Sequence, residues 1–418
     1  MLTAMPFTGH VTPVLAVAAA LVTRGHDVRL YTGRAFSASA ERIGARFVPW
    51  RQAPDFDEHD LPATFPRLLG KRGIAQLLVN MEDLFINTAA GQVADLEAEW
   101  AREPWDVHVG EEVSIGPRLF TERTGCRWAT LTVLPLYLAS KQGPPAGLGL
   151  VPGTNPITTA RDAVLRGLAP VLSRPLRAPV ARQRAALGLP PSSETFNDAI
   201  FSQELILATG VPALDYGRVD RPPRLHWVGA LQPEPPRQMP LPAWWDDMTD
   251  RPVVVVTQGT FNLDPADLLR PALEALDGLD VRVIALAGVP GRDALPFPVP
   301  SNVRVAGFLP FEALLPRTSA MITNGGWGGT LRALRHGIPL VLAGGDLDKP
   351  EVAARVASAG AGIDLRGARP TAASVRSAYD RITRDGSFAT AARRIAADLA
   401  EAGGARRAAE LLEAFARS

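Results

Sequence analysis

Apolar residues fall along this chain in two alternating patterns: short β-rich runs with no polar face, and longer stretches at helical spacing. A short apolar run reaches Phe7, a turn follows at Gly9-His10, and Pro13 opens an apolar helix that stops at Arg24-Gly25. Residues 28–31 and 47–50 are the next β-rich segments. Strand, helix and strand at this spacing predict a parallel sheet with crossover helices. A helical pattern over 80–100 then leads into a strand at 105–110. In the second half, residues 253–256 are four valines, the mark of a strand buried on both faces. A helix at 267–276 and strands at 281–287, 303–305, 320–323 and 338–343 continue the alternation, so this half reads as a doubly wound sheet.

Glycine and proline crowd residues 143–156 too densely for regular structure and predict a long loop. Seven prolines between 221 and 242 read as a semi-rigid linker. From 387 onward Ala, Arg and Leu at helical spacing predict one or two terminal helices. The expected division is a first domain over 1–220, a linker over 221–242, a second domain over 243–385 and terminal helices over 386–418.

A chain of 418 residues is long enough for two cores. With 46% hydrophobic and 21% charged residues, neither wholesale disorder nor a multi-span membrane protein fits. The net charge of +1 supplies no global field toward nucleic acid or an anionic bilayer. Residues 14–22 are too short an apolar run to span a membrane and read as the buried face of a helix. The single cysteine, Cys126, forms no intrachain disulfide and points to a reducing, cytoplasmic setting.

Open parallel sheets bind ligands beyond the carboxyl ends of their strands, where helix N-termini offer unpaired N–H groups. Three segments of the second half lie there: Gln258-Gly259-Thr260, Gly307-Phe308-Leu309-Pro310, and Asn324-Gly325-Gly326-Trp327-Gly328-Gly329-Thr330. Four glycines in six residues remove side chains where a backbone must approach phosphate, or simply make a tight turn against a helix. Asp346-Leu347-Asp348 invites either a divalent metal or sugar hydroxyls, and the adjoining Lys349 weighs against the metal. His10 stands between a strand and a helix, where Glu111 or Glu112 after another strand of the same domain is in a position to orient it as a base. Taken alone, a lone His is more often a surface or capping residue.

Gly9-His10-Val11-Thr12-Pro13, Gly259 after the valine run, Gly307-Phe308-Leu309-Pro310, the Gly-rich turn and Asp348-Lys349 occur in an order that resembles the GT-B nucleotide-sugar glycosyltransferases of family 1, the branch holding bacterial antibiotic and macrolide enzymes and plant UDP-glycosyltransferases. The resemblance covers nearly the whole chain and is sharpest over 303–356. It implies two Rossmann-like α/β domains facing a cleft, acceptor in the first and donor in the second, with the last helix returning to the first. By that likeness His10 is the general base and Glu111 its orienting carboxylate. Gly9, Thr260, Asn324, Gly325, Gly326, Gly328, Gly329 and Thr330 surround the diphosphate. Phe308 stacks on the base with the Leu309 backbone at its edge, and Asp348 and Lys349 hold the sugar.

Several positions depart from the family pattern. Asn324 replaces a common His, Phe311 and Lys349 replace a frequent Gln, Arg332 stands for a ribose-binding Glu, and Glu111 replaces a common Asp. The nine residues before His10 are also fewer than the family normally carries, which suggests a first strand shortened at its start. The resulting expectation is an inverting glycosyltransferase moving a sugar from a UDP or dTDP donor to a small lipophilic acceptor such as a polyketide, macrolide or flavonoid. The nucleotide sugar is a co-substrate, and no metal, cofactor or nucleic acid is expected. A GT-B nucleotide-sugar epimerase, which lacks the Gly-His-x-x-Pro turn, and a noncatalytic auxiliary protein are the rival readings.

Overall fold

Runs of Val, Leu and Ile with no polar face become strands covered by helices on both sides. In the computed structural model, which describes residues 1–71, 73–233, 241–248, 251–259, 264–289 and 291–418, they form two sheets in which every pairing between named strands is parallel. The first comprises β1 (Leu2–Thr3), β2 (Arg29–Thr32), β3 (Arg46–Pro49), β4 (His108–Glu111), β5 (Trp128–Leu131), β6 (Leu205–Thr209) and β7 (Leu225–Gly229), in the order β3-β2-β1-β4-β5-β6-β7. The second comprises β8 (Val253–Thr257), β9 (Arg282–Leu286), β10 (Val303–Ala306), β11 (Thr318–Thr323), β12 (Leu340–Leu342) and β13 (Gly362–Asp364), in the order β10-β9-β8-β11-β12-β13. Strand order reverses at β1/β4 in one sheet and at β8/β11 in the other, and crevices open at such points. Among the described residues no helix is long and apolar enough to cross a membrane.

The structure differs from the sequence reading in four places. Helix Thr8–Thr23 starts before Pro13 and contains it, so His10 sits in a helical first turn rather than a loop. The Phe7 carbonyl starts that turn by accepting the N–H groups of His10 and Val11, each at 2.9 Å. The supposed linker contains β7, because its prolines flank residues 225–229 instead of interrupting them; residues 234–240 lie outside the described residues. The helical pattern over 80–100 is broken by a π-turn at Met81–Ile86, between helices Gly73–Asn80 and Ala89–Arg102. The helix expected from 267 starts at Leu269 and runs to Leu276.

The last helix, Gly404–Arg417, packs Ala408, Ala409, Leu412 and Phe415 into the core made by Val14, Val17 and Leu21. Glu413 on it accepts Arg24 Nε and Nη2, both at 2.7 Å, and Arg127 donates to the Phe415 carbonyl at 2.7 Å. The chain thus ends on the unit in which it began.

A second connection runs between the sheets. Trp327 Nε1 donates to the buried Thr209 Oγ1 at 2.9 Å, and a Cβ at Gly210 (φ +89°) would stand 2.8 Å from the indole, so only glycine fits this approach. Helix Lys349–Ser358 carries Arg355, 2% exposed, whose guanidinium donates to Glu351 Oε1 (3.0 Å), Asp215 Oδ1 (3.0 Å), the Leu214 carbonyl (3.1 Å) and the Leu136 carbonyl (2.7 Å). The other Glu351 oxygen accepts Gly147 N–H at 2.9 Å and Gly149 N–H at 3.1 Å from the Gly/Pro loop. Removing the cation leaves Glu351 without its basic partner and Asp215 with Arg218 alone, an effect of about 3–5 kcal/mol for a broken buried pair. Arg355→Met should therefore lower the thermal midpoint sharply, and adding Glu351→Gln should recover part of the loss, while Asp215 keeps its pair with Arg218. An unchanged midpoint in the single variant would show that the network contributes nothing to stability.

Candidate active site

β1 delivers the chain to the first switch point, and the following helix aims its first turn back across β4. His10 Nδ1 lies 3.0 Å from Glu111 Oε2; Glu111 is fully buried, and its other oxygen has no partner among the described residues. With Nδ1–H donated to the carboxylate, the Nε2 lone pair is left to take a proton. Burial pushes His10 down, but the charge and hydrogen bond of Glu111 outweigh it, and the imidazole pKa is raised above its usual range. Glu112 faces elsewhere: its carboxylate accepts Val133 N–H at 2.7 Å and Leu134 N–H at 2.8 Å, fixing the turn after β5. Burial, then the Glu111 charge, raises Glu112 above the usual carboxylate range. Of the two glutamates considered, Glu111 is the one brought to His10.

The second switch point carries the Gly-rich turn. Gly326 is the N-cap of helix Trp327–Arg335, and the N–H groups of Trp327, Gly328 and Gly329 have no carbonyl one turn back inside the helix. A Cβ at Gly328 or Gly329 would meet nothing within 4 Å, so the face above these amides is open. Thr330 differs from its expected place: it is fully buried and its N–H is bonded to the Gly326 carbonyl at 3.0 Å, as the fourth helical residue requires. Asn324 differs too. Its Nδ2 donates to the Gln258 carbonyl and its Oδ1 accepts Gly326 N–H at 3.4 Å, so the amide ties β8 and β11 loops together. Gly325 adopts φ +84°, and Gly9, beside His10, is exposed with nothing within 4 Å of a Cβ.

Asp348 is the N-cap residue of helix Lys349–Ser358 but makes no side-chain cap bond, leaving its carboxylate free of the helix. Burial raises Asp348, Lys349 pulls it back, and so does His10 across the cleft: the two halves are close enough for each charge to move the other. Lys349 is 8% exposed and pairs with Asp346, so it neutralises the loop rather than standing open to a sugar. Phe308 is 47% exposed, an unpacked ring at the end of β10, while Leu309 is buried. Arg332 lies 5.8 Å from the Phe311 ring centre. Thr260 lies outside the described residues.

Sequence reasoning missed the aromatic wall beside His10. Phe7 and Phe85 have ring centres 5.3 Å and 6.3 Å from the imidazole. Phe7 adjoins the Gly-His motif and was legible as a neighbour; Phe85 was not, because the π-turn that presents it leaves no mark in the hydrophobic pattern.

Two parallel α/β units whose switch points face one another define the GT-B class; here one carries a His–Glu pair and the other an open helix N-terminus. Residues 271–414 match the C-terminal domain of the erythromycin biosynthesis protein CIII-like family. The chain is 40% identical over 394 residues to 4'-demethylrebeccamycin synthase of Lentzea aerocolonigenes, covering 93% of each protein. It is 32% identical to UDP-glycosyltransferase 2 of Phaeomoniella chlamydospora, covering 93% of this chain and 89% of that one. Among solved structures, the calicheamicin glycosyltransferase CalG4 superimposes with a TM-score of 0.74 at 22% identity, over 99% of this chain and 97% of that one. The glycosyltransferase VinC in complex with dTDP gives 0.70 at 21%, over 100% and 98%. The chain belongs to the family 1 GT-B glycosyltransferases of the antibiotic type, enzymes that attach sugars to natural products.

Gly328→Ala separates the fold from the site. Alanine is favoured over glycine inside a helix by up to about 1 kcal/mol, and the added methyl enters open space. The variant should melt no lower than wild type yet bind a nucleoside diphosphate more weakly by calorimetry. Unchanged affinity would remove the diphosphate from this helix end.

Proposed function

We propose that the chain is an inverting, metal-independent transferase that moves a sugar from a nucleoside diphosphate, UDP or dTDP, to a hydroxyl or similar nucleophile on a small lipophilic acceptor. The observation that carries this reading is the His10–Glu111 pair, set against Asp348 across the cleft from the open N-terminus of helix Trp327–Arg335. His10 Nε2 takes the acceptor proton as the nucleophile attacks C1, and Glu111 stabilises the imidazolium that forms. The diphosphate leaves with the C1–O electron pair toward the amides of Trp327, Gly328 and Gly329, whose dipole end favours the growing negative charge without a cation. Asp348, unused by its helix, accepts sugar hydroxyls, and the exposed Phe308 ring supports the base. The buried, unpaired Cys126 suits a reducing cytoplasm.

General-base catalysis contributes ~10²–10⁴ in rate. His10→Ala should therefore lower turnover at least a hundredfold while leaving nucleoside diphosphate binding near wild type. Since the base works unprotonated and its pKa is raised, the acid limb of kcat/KM should lie above pH ~6.5, the ordinary histidine value. Glu111→Gln removes the charge that raises it and should move this limb to lower pH as well as slowing turnover. An acid limb that stays in place in Glu111→Gln would show that some other group is titrating.

A further inference from the structure

A surface helix ordinarily lays its apolar stripe on the core and gives its charges to water. Helix Pro156–Leu172 does the reverse, for its one buried residue is Asp162. That carboxylate accepts Gly153 N–H at 2.7 Å and Arg161 Nε at 2.9 Å. Arg161 Nη2 reaches the Val151 carbonyl at 2.8 Å, and Arg166 donates to the Gly143 carbonyl. The polar groups of the helix thus hold the Gly/Pro loop. Ile157, Val164, Leu168, Val171 and Leu172 recur at the 3.6-residue period, share one side, and are 44–83% exposed. Uncovered aliphatic stripes of this kind mark interaction surfaces.

The face exists before any partner arrives. Asn155 and Thr158 complete a capping box and Pro156 opens the first turn, so the helix is secured at its start. Its 17 residues carry the stripe along about 25 Å.

Charge selects the occupant. Residues 156–190 contain six arginines and a single acidic residue, Asp162, in a chain whose net charge is only +1. Arg174 and Arg177, just past Leu172, are exposed and form no ion pair among the described residues. Arg177 Nη2 turns back to the Pro170 carbonyl at 3.5 Å, which sets its charge at the rim of the stripe. Two copies meeting through this face would bring two such basic segments together with no acid to offset them. A protein partner is held by roughly one hydrogen bond per 100–200 Å², and the aliphatic side chains of the stripe have none to give. A bilayer with anionic headgroups needs only apolar area at its boundary and cations among its phosphates.

We propose that helix Pro156–Leu172 docks flat on an anionic phospholipid surface, with its aliphatic stripe at the acyl boundary and Arg174 and Arg177 among the headgroups. The attachment is peripheral and reversible. It sets the Gly/Pro loop beside the lipid, and that loop reaches Glu351, on the helix that begins after Asp348, through the Gly147 and Gly149 amides. The docking is a property of the first unit's surface and stands apart from the transferase reading.

The test floats the full chain with vesicles of phosphatidylcholine alone or of an equimolar mixture with phosphatidylglycerol, and measures sedimentation velocity without lipid. Wild type should be monomeric, bind the mixed vesicles more tightly than the neutral ones, and lose that difference at high salt. An arginine near an anionic surface contributes roughly fivefold in affinity, so Arg174→Gln with Arg177→Gln should weaken binding to the mixed vesicles about twentyfold. Leu168→Gln with Leu172→Gln should weaken binding to both kinds of vesicle, by about tenfold or more. All four side chains are exposed, so both variants should melt with wild type, which separates lost docking from lost folding. Binding that either pair of substitutions leaves unchanged overturns the proposal. A wild-type dimer that the two glutamines at 168 and 172 dissociate also overturns it and gives the face to a second copy. A monomer that ignores both kinds of vesicle overturns it and leaves the face to a protein partner.

Discussion

The buried Arg355 guanidinium is the interaction on which the relation between the two sheets depends. A cation out of water is tolerated only where every N–H finds an acceptor, and these acceptors come from both halves: Glu351 from its own helix, and Asp215, Leu214 and Leu136 from the segments that follow β5 and β6. Glu351 in turn takes two amides of the Gly/Pro loop. One residue thus fixes the helix that begins at Asp348 against the wall that carries His10. Lys349–Ser358 cannot slide along the first unit without taking the buried guanidinium away from Asp215 and the Leu214 and Leu136 carbonyls.

Given that constraint, the chemistry follows from where the strand orders reverse. At β1/β4 the reversal brings a helix first turn next to a strand end, which is how His10 and Glu111 meet across a hundred residues of chain. At β8/β11 it leaves the end of helix Trp327–Arg335 uncovered, with Asn324 bracing the two loops beneath. Trp327 belongs to both stories, since its indole is bonded to Thr209 of the first unit while its amide opens the helix of the second. The His10–Glu111 pair, the open helix end and the interdomain contact are therefore mechanically connected through a few buried side chains.

Much of this was legible in the sequence, for reasons that differ by element. The four-valine strand, the Gly-rich turn and the Gly-His motif each carry local patterns that only a few backbones satisfy, so their places could be read directly. β7 was hidden by flanking prolines, because composition averaged over a window cannot distinguish prolines that bound a short edge strand from prolines that replace one. The true start of helix Thr8–Thr23 was masked by Pro13, which forgoes one hydrogen bond inside the helix instead of opening it. Asn324, Thr330 and Lys349 were placed by likeness as open ligand contacts. Their burial and their bonds to Gln258, Gly326 and Asp346 depend on tertiary neighbours that no local pattern encodes.

The central claim is a single displacement at C1, with the acceptor deprotonated from one side of the cleft while the diphosphate is received on the other. Its most direct test is the anomeric configuration of the product formed from an α-linked nucleotide sugar, read from proton coupling constants by NMR under conditions where the product does not equilibrate. A β-linked glycoside is the expected result. An α-linked product would mean that the sugar departs and is attacked on the same face, and that His10 opposite the helix Trp327–Arg335 does not act as described.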